Sequence, residues 1–263
     1  MVKEIQQFAK MISEEQSSRL ILIAARPLMG KTFLALHLVH HLITKEKKAT
    51  AYFSIKLPAN ILRHYLFCIE ANLETRKLEL NDLSAIDLDK MAEAAACLHE
   101  APLYIYNSGT FSVEEIREIA LYQKSKTGLD VIFIDYLQLL LAPDEGSSRH
   151  EEITEILKTL KIIAEELGVP VIVLSQLSRG VENRPDKRPA IYDLHPLGQV
   201  EAHPDMIVFL HSDSYYGEGP TENAATEIII AKNNKGKTGK IRLRNFINYT
   251  NLADNSLEKG IDL

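Results

Sequence analysis

Apolar and polar residues alternate along this chain with two periods, which predict a succession of strands and helices. Short, nearly continuous apolar runs are typical of strands buried on both faces, and they occur near residues 20–25, 50–54, 103–106, 130–135, 170–174, 205–210, 226–231 and 240–247. Apolar residues at helical spacing lie between most of these runs, near 2–16, 33–43, 59–72, 82–99, 113–125 and 151–167. The pattern predicts an α/β fold, with a mainly parallel central sheet and helices on both faces.

Two local signals refine this prediction. Ser112 and Glu115 have the spacing of a capping box, which predicts that a helix begins at about residue 113. Residues 144–150 are rich in charge, glycine and serine and are predicted to form an exposed loop. The length of 263 residues suits one large α/β core.

The segment L-I-L-I-A-A-R-P-L-M-G-K-T, residues 20–32, is an apolar strand that ends in a turn and Gly-Lys-Thr. Gly30 lets backbone N–H groups of the following helix approach phosphate oxygens, Lys31 supplies positive charge, and the Thr32 hydroxyl can ligate Mg²⁺. The motif G-x-x-x-x-G-K-[ST] asks for glycine where this chain has Ala25. We predict a phosphate cradle; the alternative is an ordinary strand-to-helix turn. The predicted cradle comprises Ala25, Arg26, Pro27, Leu28, Met29, Gly30, Lys31, Thr32 and Phe33.

Two further buried strands end in polar residues that suit a phosphate site. The strand V-I-F-I-D ends at Asp135, and the strand V-I-V-L-S-Q ends at Gln176. Ligands of parallel sheets bind beyond the carboxyl ends of the strands, so Asp135 can hold Mg²⁺ together with Thr32, and Gln176 can sense the terminal phosphate. The alternatives are a carboxylate that caps the next turn and a surface amide.

The charge, the cysteines and the lengths of the apolar runs limit the kinds of protein that this chain can be. The formal net charge of −6 argues against a uniformly basic nucleic-acid coat. Cys68 and Cys97 lack metal-ligand spacing and are predicted to be reduced core thiols, which indicates a reducing compartment. Because we find neither an apolar run of membrane-spanning length nor a signal peptide, we expect a cytoplasmic protein without membrane contact.

The motifs, in their order along the chain, resemble the motor domain of DnaB-type hexameric replicative helicases. They are A-A-R-P-L-M-G-K-T, I-D-Y-L-Q-L, V-P-V-I-V-L-S-Q-L-S-R, D-K-R-P and E-I-I-I-A-K. The resemblance implies a RecA-like P-loop NTPase fold, ATP and Mg²⁺ as cofactors, a ring of identical subunits and single-stranded DNA in its channel. It divides the chain into an N-terminal helix in 1–18, a RecA-like ATP-binding domain in 19–253 and a C-terminal tail in 254–263.

This chain departs from the family at two catalytic positions. The family's F-S-L-E-M-P carries a glutamate that polarises the attacking water, whereas F-S-I-K-L-P places Lys56 there. The family's K-Q-R reaches the ATP of a neighbouring subunit; here K-N-N-K keeps Lys232 and places Asn234 at the arginine position. The resemblance leaves catalytic roles for Lys31, Gln176 and Lys232. We expect hydrolysis to be impaired, and Lys56 could instead contact a phosphate.

The predicted DNA contacts differ as well. The family's L-R-E-S-G loop, which holds DNA phosphates, reads L-H-P-L-G here; Pro196 lacks an N–H, and only Gly198 keeps its identity. Other cations could meet single-stranded DNA or simply face solvent. One loop carries Arg179, Arg184, Lys187 and Arg188, and the C-terminal part carries Lys232, Lys235, Lys237, Lys240, Arg242 and Arg244.

Two functional hypotheses stay open at this point. The first is an ATP-driven DNA helicase or translocase. The second is a nucleotide-binding paralogue that regulates, loads or caps a helicase or another replication partner. We expect the chain to lack the family's N-terminal partner-binding domain. Its first helix could dock on a neighbouring subunit or pack on its own core.

Overall fold

The computed structural model describes residues 3–13, 19–80, 82–142, 148–212 and 225–244. The helices are α1 (Lys3–Ser13), α2 (Lys31–Thr44), α3 (Ala59–Ala71), α4 (Thr75–Glu79), α5 (Ala85–His99), α6 (Val113–Thr127) and α7 (Arg149–Leu167). The strands are β1 (Leu20–Ala25), β2 (Thr50–Ser54), β3 (Leu103–Asn107), β4 (Phe111–Ser112), β5 (Val131–Asp135), β6 (Leu140–Leu141), β7 (Val171–Gln176), β8 (Met206–Ser212), β9 (Ala225–Asn233) and β10 (Gly239–Arg244).

The predicted elements are present, and most of them begin or end within one or two residues of the predicted positions. The helix predicted over 82–99 begins at Ala85, because Ser84 caps it by accepting a hydrogen bond from the N–H of Asp87 at 3.2 Å. The short elements α4, β4 and β6 were not predicted. Residues 2, 14–16, 144–147 and 245–247 of the predicted elements, and the tail 254–263, lie outside the described residues.

The central sheet has the strand order β10-β9-β8-β1-β7-β5-β2-β3. The strands from β8 to β3 pair in parallel, while β9 and β10 form an antiparallel hairpin on one edge. The predicted mainly parallel sheet is therefore confirmed. Because the carboxyl ends of β1, β7, β5 and β2 meet at one edge, the polar residues at these ends are brought together.

Two apolar layers cover the faces of the sheet, and β1 contributes to both by strict alternation. Ile21 and Ile23 belong to the layer that includes residues of α1, α2 and α3. Leu20 and Leu22 belong to the opposite layer, which includes residues of α6 and α7. A strand that is buried on both faces must be apolar throughout, which explains the continuous apolar runs in the sequence.

Helix α1 packs on the core of its own chain. Its residues Ile5, Phe8, Ala9 and Ile12 are at most 2% exposed and join the apolar layer that covers α2. The helix contacts α2 and the edge strand β10. In the single chain, the first helix thus packs on its own core, and its docking on a neighbouring subunit stays a prediction.

The two cysteines are free thiols; Cys68 is buried and Cys97 is partly exposed. In the parts of the chain that the structure describes, no helix is both long enough and apolar enough to cross a bilayer.

Candidate nucleotide-binding site

The predicted phosphate loop connects β1 to α2 at the carboxyl edge of the sheet. Gly30 immediately precedes α2 and has φ 81°, a left-handed conformation that glycine adopts without strain. Leu28 has φ 63°, and its side chain is exposed. The backbone turn leaves the first N–H groups of α2 at the mouth of a cleft, where an anion is favoured.

Three side chains of the predicted cradle point away from the cleft. Ala25 and Met29 are buried in the apolar layer beside α2. Arg26 is also buried; its Nε donates to Glu182 Oε1 at 2.7 Å, and its Nη1 donates to the carbonyl of Leu177 at 2.7 Å. Arg26 therefore anchors the loop to the segment after β7, and only the backbone of these three residues is available to a ligand.

The cleft has a volume of about 780 Å³, which includes the open space at its mouth, and it is built from several elements. The predicted cradle lines it with Pro27, Leu28, Gly30, Lys31, Thr32 and Phe33. The residues that follow or end β2, β5 and β7 line it with Lys56, Asp135, Tyr136 and Gln176, and α3 contributes Tyr65. The structure thus brings together Lys31, Thr32, Asp135 and Gln176, as predicted.

Lys31 is folded over its own loop. Its Nζ donates to the carbonyl oxygens of Ala25 and Arg26, each at 3.1 Å. These are neutral acceptors, so the charge of the ammonium is not cancelled by a carboxylate in these two contacts. A phosphate in the cleft offers a stronger, charged acceptor.

Asp135 is the buried carboxylate of the site, only 3% exposed. Its Oδ2 accepts hydrogen bonds from the Thr32 hydroxyl at 2.8 Å and from the Tyr52 hydroxyl at 3.1 Å. Burial raises the pKa of Asp135, while these two hydrogen bonds and the charges of Lys31 and Lys56 oppose the rise. The carboxylate is thereby fixed in orientation next to the phosphate loop.

The oxygen atoms of Thr32 and Asp135 fit a magnesium ion that binds together with phosphates. Mg²⁺ prefers oxygen ligands and commonly takes one or two carboxylates, waters and substrate phosphates instead of a full protein cage. In the described parts of the chain, no group of three or more His, Cys, Asp or Glu residues could hold a metal. The donor set therefore suits a nucleotide-bound metal.

Tyr52 and Gln138 contact residues of the site, although no role was predicted for them from the sequence. Tyr52 is buried in β2 and stacks on Phe133, with ring centroids 6.0 Å apart. Gln138 donates from Nε2 to Ser175 Oγ and to the carbonyl of Gln176, both at 2.9 Å, which ties the ends of β5 and β7 together. A buried tyrosine needs a hydroxyl partner, and this was the available signal for Tyr52.

Lys56 lies at the cleft on a turn that is held firmly. Ser54 donates from its hydroxyl to the carbonyl of Leu57 at 2.6 Å. The side-chain amide of Asn107 donates to the carbonyls of Ser54 and Leu57 at 2.9 and 3.0 Å. The side chain of Lys56 is exposed and lines the cleft.

Lys232 lies far from the cleft of its own chain. It is on β9 opposite Ile207 of β8, which pairs with Leu22 in the middle of β1. Its Nζ donates to the carbonyl of Glu201 at 2.9 Å. Two residues further on, the N–H of Asn234 donates to the carbonyl of Asp205, just before β8. The turn after β9 is therefore at the edge of the sheet opposite to the phosphate loop.

Two cations of the predicted DNA loop are engaged within the protein. Arg184 forms a double contact with Asp193, at 2.6 and 2.9 Å, and lies over the ring of Tyr192. Arg188 pairs with the buried carboxylate of Glu227 at 3.2 Å. Arg179 is exposed, and Lys187 is partly buried with φ 49°.

Gly198 lies close to the backbone of α7. It has φ 107°, and a Cβ atom there would be 2.7 Å from the carbonyl oxygen of His150. The surrounding cleft also exposes the carboxylates of Glu151, Glu155 and Glu201. The glycine is explained by this close approach, and the carboxylates disfavour a DNA phosphate at this loop.

Comparison with known proteins identifies the family of this chain. The model of the DnaB-like helicase C-terminal domain matches residues 1–254. The chain belongs to this family. The matched residues also include α1, whereas the ATP-binding domain predicted from the motifs begins at residue 19.

The chain is similar to replicative helicases over part of their length. It is 37% identical over 254 residues to the replicative DNA helicase DnaB of Geobacillus stearothermophilus, covering 96% of this chain and 56% of that protein. It is also 37% identical over 254 residues to the replicative DNA helicase DnaC of Bacillus subtilis (strain 168), with the same coverage. The chain thus spans about half the length of these relatives.

Solved structures agree in fold. An ATPase domain matches with a TM-score of 0.83 and 33% identity, over 89% of this chain and 83% of that one. A DnaB-like replicative helicase, studied for its interactions with primase, matches with a TM-score of 0.81 and 34% identity, over 86% of this chain and 55% of that one. The RecA-like architecture predicted from the motifs is therefore confirmed.

Proposed function

We propose that this chain is the motor domain of a DnaB-type helicase, which binds ATP with Mg²⁺ and couples it to single-stranded DNA. The observation that supports this most is the Thr32 hydroxyl 2.8 Å from the buried Asp135 carboxylate, beside Lys31 and the left-handed Gly30. Backbone N–H groups of α2 and Lys31 would bind the phosphates. Thr32 and Asp135 would hold the magnesium, which neutralises phosphate charge.

The proposal includes a cytoplasmic ring of identical subunits. Lys232 and the turn after β9 are at the opposite edge of the sheet from the phosphate loop of the same chain. They can serve a nucleotide only if a second copy presents its cleft to them. The related helicases are known as replicative proteins, and a replication partner such as a primase belongs to the same proposal.

Single-stranded DNA would be held mainly by cations that remain exposed. Arg179 lies in the loop after β7, and Lys235 and Lys237 lie on the turn between β9 and β10. Arg184 and Arg188 hold the loop in place through Asp193 and Glu227. Since phosphate contacts release counterions, affinity for DNA should fall as salt rises.

A second candidate is a nucleotide-binding module with impaired hydrolysis. Among the described residues that line the cleft, Asp135 is the only carboxylate, and Lys56 lies where a water-polarising glutamate is expected from the family motif. Glu182, which is near the phosphate loop, is paired with Arg26. This candidate shares the nucleotide site and differs only in turnover.

Single-turnover hydrolysis of ATP, with and without single-stranded DNA, separates the two candidates. DNA-stimulated hydrolysis that Lys31→Ala abolishes supports the motor and contradicts the module. Binding of ATP without turnover, with hydrolysis partly restored by Lys56→Glu combined with Asn234→Arg, contradicts the motor as an active ATPase. A folded protein without affinity for ATP or ADP in the presence of magnesium would overturn both.

A further inference from the structure

Lys56 is a cation at the nucleotide cleft, and its charge acts on the Asp135 carboxylate. Among the described residues, its ammonium group forms no hydrogen bond and no ion pair within 4 Å. The turn that carries it is closed by Ser54 and Asn107, so the position of its backbone is fixed. A long side chain on a rigid turn can reach a ligand without a rearrangement of the backbone.

The charges around the cleft favour an anion even without a metal. Among the described residues that line it, the two cations Lys31 and Lys56 face the single carboxylate Asp135. Lys31 must exchange two hydrogen bonds with its loop for contacts with a phosphate, whereas Lys56 has none to give up. Binding a phosphate therefore breaks two hydrogen bonds of Lys31 to its own loop and none of Lys56 among the described residues.

We propose that Lys56 binds a phosphate of the nucleotide and adds to the charge that magnesium supplies, so that this site retains a nucleoside triphosphate when the metal is removed. The inference rests on the proposed nucleotide binding and adds a property to it. A lysine ammonium donates up to three hydrogen bonds to phosphate oxygens. It cannot accept the proton of an attacking water while it is charged, so the same residue favours binding over turnover.

The test is the affinity of the full chain for ATP, measured by calorimetry in magnesium chloride and again in EDTA. We expect the affinity of the unmodified protein to fall less than about tenfold in EDTA. Lys56→Gln removes one charge-assisted contact and should weaken ATP binding in EDTA by about 10- to 100-fold. Lys56→Arg keeps the charge and should restore most of the affinity. The matched control is Lys90→Gln on the exposed face of α5, which should behave like the unmodified protein.

Three results would overturn the inference. If the unmodified protein binds ATP only with magnesium, the metal is required, and the proposed nucleotide binding still stands. If Lys56→Gln and the unmodified protein bind ATP equally in EDTA, Lys56 is not a phosphate ligand. If ATP does not bind in either condition, both the inference and the proposed function fail. Circular dichroism of each variant confirms that the fold is retained.

Discussion

At the scale of single residues, the buried polar side chains decide how the cleft is arranged. Asp135 would be a costly isolated charge in the interior, yet Thr32 and Tyr52 both donate to it. Arg26 is buried as well, and it is satisfied by Glu182 and a carbonyl. These contacts hold the phosphate loop and the end of β5 in register before any ligand binds, which is the physical basis of a preorganised site.

His37 provides a prediction about pH. It is 9% exposed in α2, lies edge-on to Phe33, and burial, followed by the charge of His40, lowers its pKa from 6.5 to about 3. Between these two pKa values, His37 therefore binds a proton in the unfolded chain but stays neutral in the folded chain. The free energy of unfolding should fall by about 1.4 kcal/mol per pH unit between these two pKa values because of this residue.

Urea unfolding at neutral pH and at about one to two units below the unfolded pKa measures this effect. In His37→Leu the loss of stability on acidification should be smaller than in the unmodified protein. The control is His99→Gln, which changes an exposed histidine at the end of α5. An equal loss of stability in His37→Leu and in the unmodified protein would contradict the prediction.

At the scale of elements, local signals and long-range packing contribute differently. The starts of α5, α6 and α7 are each defined by a serine capping box. The capping box predicted from Ser112 and Glu115 is present, with Glu115 N donating to Ser112 Oγ at 3.1 Å and Ser112 N donating to Glu115 Oε2 at 2.8 Å. The position of α1, in contrast, depends on an apolar surface that α2 and β10 build together.

Ser112→Ala tests the contribution of one cap. Removing the hydroxyl leaves the N–H of Glu115 without its acceptor, so we expect the protein to lose about 1 kcal/mol of stability. Chemical denaturation measures the change. Ser125→Ala in the same helix is the control; its hydroxyl donates to a carbonyl within the helix and is exposed, so the change should be within about 0.5 kcal/mol. Equal destabilisation by both variants would show that the cap is not responsible.

At the scale of the whole molecule, the sheet separates two groups of functional residues. The cleft is at the carboxyl edge of the parallel strands, and the turn after β9 is at the amino edge. A single subunit therefore cannot bring Lys232 to its own nucleotide without unfolding β9. Assembly of several copies is the simplest way in which Lys232 can contribute to hydrolysis.

Lys232→Ala tests this separation. We expect the affinity of an isolated subunit for ATP to be unchanged, because Lys232 is remote from the cleft. Any hydrolysis by the assembled protein should fall about 100-fold, as expected when one charge that stabilises the transition state is removed. Sedimentation in the presence of ATP and magnesium measures assembly, and Lys90→Ala is the control. Sedimentation of a monomer only, or weaker ATP binding by the isolated variant, would count against a neighbour-directed role.

The sequence by itself determined the long helices, the strands of the central sheet and the local part of the site, but not the short elements α4, β4 and β6. Each strand is apolar enough to be recognised, and Gly30, Lys31 and Thr32 are adjacent, so their arrangement follows from one strand, one turn and one helix. Asp135 and Gln176 could also be predicted, because both end buried parallel strands, and such ends meet at one edge.

Only the tertiary structure decided the contacts between distant parts of the chain. The partners Tyr52 and Asp135 are 83 residues apart, and Arg26 and Glu182 are 156 residues apart. The inward orientation of Arg26, the remote position of Lys232 and the engagement of Arg184 by Asp193 follow from how the strands are ordered and how the loops pack. Periodicity in a sequence reports which face of an element is buried, and it does not report which other element covers that face.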